Sequence, residues 1–289
     1  MQGSRKPSMH FFRFKNPFQA RNAPFFLIAL LHRIGYNMDD SAKFCRRKRG
    51  KFMQLFHRLY QVSGSLNGVS WAGEYKSYAD ANSYALRTQA GVVLFDCGNG
   101  ETWPQIAENL AYWGIAPSEI CACLLTHAHL DHSGAAQILA EMGVPLYAQR
   151  ETARAVAAGD ERCAGYLYHK QYTPCPNVTA LEDGDTLRFG KYEITLMHCP
   201  GHTAGCAAYL FTHEGKKMLV SGDIIGTLQD GYFGWDGSID FDRAVYLQTL
   251  QKFARVKSDV MLPGHGMVYY HNPRQRVEEA LCMALSSWR

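Results

Sequence analysis

The sequence predicts a mixed α/β fold in which strands arrive as hairpin pairs between helices, rather than as a regularly wound βαβ array. Three observations carry this reading. Short apolar runs recur between turns rich in Gly and Pro. Several longer windows repeat their apolar residues at helical spacing. The residues able to do chemistry fall where the strands end. With 289 residues, 47% hydrophobic and 19% charged, the chain has ample material for a packed core and is no disordered, collagenous or coiled-coil protein.

Residues 83–87 and 92–95 read as two strands joined by a tight turn at Gln89-Ala90-Gly91. A helix starts near Thr102 with Pro104 in its first turn, shows Ile106, Leu110 and Trp113 on one face, and stops at Gly114. Residues 120–125 form a short apolar strand, followed by a helix from about Ser133 to Glu141. Residues 186–189 and 192–197 make a hairpin around Gly190-Lys191, and 207–211 with 217–220 repeat the form. Residues 241–254 are amphipathic, with Phe241, Ala244, Val245, Leu250 and Phe253 on the apolar side. A last helix runs from Pro273, capped by Asn272, and is expected to bury Val277, Leu281, Leu285 and Trp288.

Charge divides the chain. Residues 1–52 hold 12 Lys and Arg against 2 Asp and Glu, and the remainder holds 18 against 24. The first segment closes on Arg46-Arg47-Lys48-Arg49-Gly50-Lys51. A tether for nucleic acid or an anionic membrane is one reading of it. A signal peptide is another, but His32-Arg33 follow the apolar run 23–31 where small residues of a cleavage site belong. Without periodicity or turn chemistry, residues 1–52 are best taken as a poorly ordered appendage outside the fold, or as an over-long start with Met53 the true initiator. The apolar run is too short to span a bilayer, so no transmembrane helix is expected. Nine scattered cysteines, an odd number with no CxxC pair, suggest reduced thiols in a cytoplasmic protein rather than a disulfide framework.

The informative stretch is Leu124-Leu125-Thr126-His127-Ala128-His129-Leu130-Asp131-His132-Ser133-Gly134. On extended backbone, residues two apart point the same way, so His127 and His129 can share one metal. The turn into a helix then sends Asp131 and His132 toward a second point nearby. Imidazole and carboxylate ligands suit zinc, and also manganese or iron. Three later residues sit in Gly-rich turns at strand ends: His202 in Pro200-Gly201-His202-Thr203, Asp223 in Gly222-Asp223, and His265 in Pro263-Gly264-His265-Gly266. Glycine beside each allows close backbone approach.

In this order the motifs resemble the metallo-β-lactamase-fold hydrolase superfamily from about Met53 to the C-terminus. Asn82-Ser83-Tyr84 and Phe95-Asp96-Cys97-Gly98 look like that family's early strand pair, with Cys97 where Thr is more usual. The resemblance implies a four-layered αβ/βα sandwich over residues 53–289, with a two-metal cleft at its edge. It assigns His127, His129 and His202 to a first ion, Asp131, His132 and His265 to a second, and Asp223 to a bridge between them. Two divalent ions, zinc foremost, would then share a water of pKa lowered from 15.7 to about 7 that attacks a carbonyl or phosphoryl centre. Asp131 would orient that nucleophile and take its proton, and Asp96 is expected to fix one histidine ring by a hydrogen bond.

The expected substrate is a small ester, thioester or lactone. Asp at 223, where zinc β-lactamases often carry Cys or Ser, lowers the case for antibiotic hydrolysis, which stays an alternative. A mononuclear-iron persulfide dioxygenase is another, although Asp131, His132 and His265 are all retained. With 24 residues after His265, room for one helix, a dedicated glutathione site is not expected. The acidic balance beyond residue 52, including Asp230, Asp236, Asp240 and Asp242, disfavours nucleic acid. His198 reads as structural, and Cys199 and Cys206 as small core residues. Tyr166, Tyr168 and His169 lie in a long segment, 151–178, where lids form. Tyr232, Phe233 and Trp235 are either an aromatic wall for an apolar substrate or ordinary loop packing.

Overall fold

The computed structural model describes residues 53–66, 69–70, 80–225 and 236–288. The expected N-terminal appendage and the aromatic trio at 232, 233 and 235 lie outside the described residues.

Strand β7 (Ile120–Leu125) shows how the layers arise. Its side chains alternate between two cores, as a period of two requires. Ala122 and Leu124 enter one cluster, and Cys123 and Leu125 enter another. β6 (Val92–Phe95) divides likewise: Val93 and Phe95 go one way, Val92 and Leu94 the other. The first cluster is the centre of a sandwich. There Tyr84, Leu86, Val93, Phe95 and Leu124 meet Ile194, Leu196, Tyr209, Phe211, Val220 and Leu262 of a second sheet.

The first sheet has seven strands in the order β1 (Gln54–Phe56), β2 (Leu59–Gln61), β5 (Tyr84–Arg87), β6, β7, β8 (Leu146–Gln149), β9 (Val178–Leu181). The second has five in chain order: β10 (Thr186–Phe189), β11 (Tyr192–His198), β12 (Ala207–His213), β13 (Lys216–Gly222) and β14 (Val260–Pro263). A small hairpin pairs β3 (Ser65–Leu66) with β4 (Val69–Ser70). Tight turns join the antiparallel neighbours β5–β6, β10–β11 and β12–β13. The parallel pairs β6–β7, β7–β8, β8–β9 and β13–β14 need crossovers.

Helices supply those crossovers. They are α1 (Trp103–Tyr112), α2 (Leu130–Ser133) with α3 (Ala136–Glu141), α4 (Arg150–Ala158), and α5 (Arg243–Phe253). α1 to α4 cover the outer face of the seven-stranded sheet. α5 and the C-terminal α6 (Pro273–Ser287) cover the outer face of the five-stranded one. The result is the expected four-layered αβ/βα sandwich.

Several local expectations needed correction. The helix expected over 133–141 is two pieces, because the chain already turns helical at Leu130 and breaks at Gly134. A Cβ at Gly134 would lie 2.5 Å from the Asn99 carbonyl carbon and the Leu130 oxygen, so this crossing admits only glycine. On α5, Ala244 is exposed and Tyr246, Thr249, Leu250 and Phe253 face inward. On α6, Val277 is buried as expected, but Ala280 and Ala284 are its buried companions and Leu285 is 48% exposed. Small residues let α6 lie close to its neighbours, and Trp288 instead packs its ring 5.7 Å from Phe241 and 5.8 Å from Tyr246. Asn272 precedes α6 with a left-handed φ of 47° and its side chain caps no backbone N–H. β1 to β4, β8, β9 and α4 were not anticipated, and β14 was anticipated only as a strand ending before His265.

These burials set opposite expectations for two leucines. Leu124→Ala removes a fully buried side chain at the sandwich centre and should cost about 2–5 kcal/mol in urea denaturation. Leu285→Ala should stay within about 0.5 kcal/mol.

Candidate metal centre

Every predicted site residue follows the C-terminal end of a strand, and the ends of both sheets meet at one edge. β7 stops at Leu125, and the extended Thr126–His129 stretch carries His127 and His129 before α2 lifts Asp131 and His132 on its first turn. The turn after β11 carries His202, β13 delivers Asp223, and β14 delivers His265. The last two turns are tied by the Gly264 N–H to the Gly222 carbonyl, 2.9 Å. A Cβ at Gly264 would stand 2.1 Å from Asp223 Oδ1 and 2.7 Å from His132 Cε1, so glycine here is a condition of the site's compactness.

All seven residues come together. Donor atoms of His127, His129 and His202 gather in one group, those of Asp131, His132 and His265 in another, and those of His127, His132 and Asp223 in a third that joins them. Asp223 is the common neighbour. Its Oδ1 lies 3.3 Å from His132 Nε2, and its Oδ2 lies 3.4 Å from His265 Nε2, 3.8 Å from His202 Nε2 and 4.0 Å from His127 Nε2. Asp131 Oδ2 is 3.1 Å from His265 Nε2 and 3.7 Å from His132 Nε2. His265, at 22% side-chain exposure, is the most open of the seven, and His127 and His132 are fully buried.

Hydrogen bonds orient the rings. Asp96, held at a left-handed φ of 57°, accepts from the Thr126 N–H (2.7 Å), the Thr126 hydroxyl (2.8 Å) and His132 Nδ1 (2.8 Å). The expected contact of Asp96 with a site histidine is therefore present. Because the Thr126 hydroxyl donates to Asp96, it can only accept from His127 Nδ1, 3.1 Å away. Both rings thus hold a proton on Nδ1 and turn Nε2 toward the other donor atoms of the cluster. These Nε2 atoms and Asp223 Oδ1 are buried and have no hydrogen-bond partner among the described residues. Asn82 Nδ2 donates to the carbonyls of Pro263 and Gly266, each 3.0 Å, and the Tyr84 hydroxyl to Pro263 at 2.7 Å, holding the His265 turn.

The electrostatics ask for positive charge. Burial, with the neighbouring His132 and His129, holds His127 well below its ordinary range, and burial with His202 takes His129 down to about 3. Burial would also lower His132 and His265. The Asp223 and Asp131 carboxylates outweigh it, raising His132 well above its usual value and His265 to about 10. Burial pushes Asp131 and Asp223 up, but His132 and His265 more than offset it and leave both below the carboxylate range. Buried imidazole nitrogens facing ionised carboxylates make a nitrogen–oxygen donor set fitted to zinc-type divalent ions, which would take the place of the imidazole protons.

Other candidates sort plainly. His198 Nε2 contacts the Ala204 carbonyl at 3.0 Å, a structural role. Cys199 and Cys206 are buried in the core against α5 and α6. In the expected lid segment a 3-10 turn (Gly165–Tyr168) brings the Tyr168 hydroxyl to Asp131, while Tyr166 and His169 are exposed. Burial and the Asp131 carboxylate keep the Tyr168 phenol far above its usual range. The sequence did not point to Asp80 or Ser238. Asp80 accepts from the Asn99 N–H at 2.8 Å, and burial raises it to about 7; Ser238 contacts His129 Nε2 at 3.2 Å. Both are ordinary polar residues in loops, with no local signal to mark them.

Among solved structures, the subclass B3 metallo-beta-lactamase MEM-A1 from a soil metagenome library superposes with a TM-score of 0.64 at 20% identity, over 83% of this chain and 96% of that one. GOB-18 from Elizabethkingia meningoseptica gives 0.63 at 22% identity, over 83% and 92%. At such identities the likeness is one of fold. The sequence profile of the metallo-beta-lactamase superfamily matches residues 79–265, more than half of the chain. The chain belongs to the metallo-beta-lactamase superfamily, a superfamily of metal-dependent hydrolases.

Three curated relatives refine the comparison. An atrochrysone carboxyl ACP thioesterase of Aspergillus fumigatus is 29% identical over 205 residues, 69% of this chain and 55% of its own length. An acyl-coenzyme A thioesterase of Gallus gallus is 28% identical over 232 residues, covering 69% and 78%. A hydroxyacylglutathione hydrolase of Bdellovibrio bacteriovorus is 30% identical over 125 residues, covering 39% and 42%. The chain spans about half the length of the first curated relatives it matches. Among the described residues, no helix is long and apolar enough to cross a membrane.

The shifted histidines predict a stability maximum near pH 6.5 in chelator-treated protein. Neutral burial of His129 stabilises above the unfolded value of 6.5 and is lost as pH falls toward 3. Protonated His265 stabilises below 6.5 and is lost as pH rises through 10. Thermal melts across pH 4–10 should fall away on both sides; a flat profile between 6.5 and 9 would contradict the assignment.

Proposed function

We propose that this protein is a dinuclear metal-dependent hydrolase of small acyl thioesters, in the wider class of esters and lactones, with its catalytic domain in residues 53–289. The observation that carries the reading is the meeting of two donor groups on one carboxylate, Asp223. On this reading His127, His129 and His202 hold one zinc ion, Asp131, His132 and His265 hold the other, and Asp223 serves both. Two such ions supply Lewis acidity at a carbonyl oxygen and a water acidified toward neutral pH.

The chain's own residues do the rest. Asp131, buried and ionised, presents a carboxylate oxygen that orients the attacking water and accepts its proton. Asp96 keeps the His132 proton on Nδ1, away from the ions. The depth of His127, His129 and His132 excludes bulk water, which strengthens every charge interaction there. The choice of a thioester is supported by relatives of fungal and animal origin that are named as thioesterases. Their acyl carriers differ, so it is the acyl–sulfur bond, rather than any one carrier, that is extended to this chain.

The test is proton release by the zinc-loaded full chain with an acyl-coenzyme A, an aryl ester, a lactone and a cephalosporin, alongside metal counting. Two ions per chain and fastest turnover of the thioester are expected. Asp223→Ala should cost about 100-fold or more in rate, as loss of several kcal/mol of charge stabilisation implies. A single iron per chain, or turnover of the cephalosporin alone, would overturn the reading. Asp96→Asn should weaken metal binding by about 10- to 100-fold in a chelator competition.

A further inference from the structure

The five-stranded sheet carries a second concavity, at the end of its strands away from the metal centre. Along β11 and β12, Ile194, Leu196, Tyr209 and Phe211 enter the sandwich. Alternation therefore turns Thr195, Leu210 and Thr212 to the outer face. α5 stops at Phe253 and leaves that part of the face open. The result is a cavity of about 540 Å3, lined by the apolar Leu210 and Val256, the hydroxyls of Thr195 and Thr212, and the cations Lys191, Lys217 and Lys257. Lys217 opens β13 and Asp223 follows its end. At about 3.3 Å per strand residue, the two are on the order of 20 Å apart.

The three lysines reach the cavity from separate segments: the β10–β11 turn, the start of β13 and the chain beyond α5. Nine described arginines and lysines stand within ion-pair distance of a carboxylate. Lys191, Lys217 and Lys257 have no such partner among the described residues, and neither do Lys216 and Arg255 beside them in the chain. Glu193, the carboxylate in the lining, is taken by Arg188 at 2.8 Å. Asp259 Oδ2 accepts the Lys217 backbone N–H at 2.7 Å. Composition does not explain the gathering, because the chain beyond residue 52 holds fewer basic than acidic residues. Like charges around one cavity repel unless an anion sits among them.

We propose that this cavity is a binding site for a small organic phosphate, separate from the metal centre. Its phosphoryl oxygens accept hydrogen bonds from Lys191, Lys217 and Lys257 and from the two threonine hydroxyls. Its apolar or planar body covers Leu210 and Val256. The concave shape favours a compact ligand over a flat membrane, whose headgroups would meet the lysine tips and leave the apolar floor wet.

The experiment is calorimetry of the zinc-loaded full chain with phenylphosphonate, inorganic phosphate and benzyl alcohol, alongside sedimentation with phosphatidylserine vesicles. Phenylphosphonate should bind about tenfold or more tightly than either fragment, since it alone offers both charge and apolar surface. Lys217→Gln and Lys257→Gln should each weaken it by about tenfold, with unchanged melting temperatures, and Asp223→Ala should leave it in place. Equal binding by the wild type and both lysine variants would overturn the site. Loss in Asp223→Ala alone would do the same, because it assigns the anion to the metal centre. Absence of phenylphosphonate binding overturns it too, and vesicle capture in that case makes the lysines a membrane-facing patch.

Discussion

Three carboxylates at the meeting of two sheets impose the constraint around which the rest of the structure is arranged. Moving one ionised carboxylate into a dry interior costs on the order of 20 kcal/mol in the idealised limit, and several kcal/mol in real proteins. Asp96, Asp131 and Asp223 are held within a few ångströms of one another's histidine partners. Such a cluster survives only where each oxygen meets a donor or a cation. Asp96 is met by a backbone N–H, a hydroxyl and an imidazole. Asp131 and Asp223 are met by imidazoles that carry protons in the protein alone and are expected to exchange them for metal.

The sandwich makes that arrangement possible because strand ends are rigid and their loops are free. Parallel pairs in each sheet bring β6, β7 and β13, β14 to the same edge with their C-terminal ends together. Backbone bonds across that edge lock the loops. The Asn82 N–H donates to the Gly264 carbonyl at 2.7 Å, and the Ala207 N–H to the Thr126 carbonyl at 2.8 Å, so turns far apart in sequence share one frame. The strain at Asp96, a non-glycine residue in the left-handed region, is offset by the three bonds its side chain accepts.

The seven residues expected to hold metal were legible because their chemistry is concentrated in short runs, with spacing that carries meaning on a strand and at a helix start. Asp96 was legible as a positioning residue because it ends a recognisable apolar strand. Ser238 and Asp80 were not, since nothing local distinguishes a serine or aspartate that serves a site from one that faces water. The edge strands β1 and β2 escaped because three-residue strands carry too little pattern. The broken helix at Gly134 escaped because its cause is a backbone crossing with Asn99, more than thirty residues away.

The sequence by itself determined the mixed α/β class of fold, the elements β5 to β7, α1, β10 to β13, α5 and α6, and the identity of the candidate ligands. All of these follow from local periodicity, turn chemistry and donor type. Tertiary structure alone decided how the rings of His127 and His132 are turned and which ordinary polar residues hold the candidate ligands in place. The reason is physical. A side chain's proton position and charge depend on neighbours brought close by packing, and those neighbours lie tens to more than a hundred residues away along the chain.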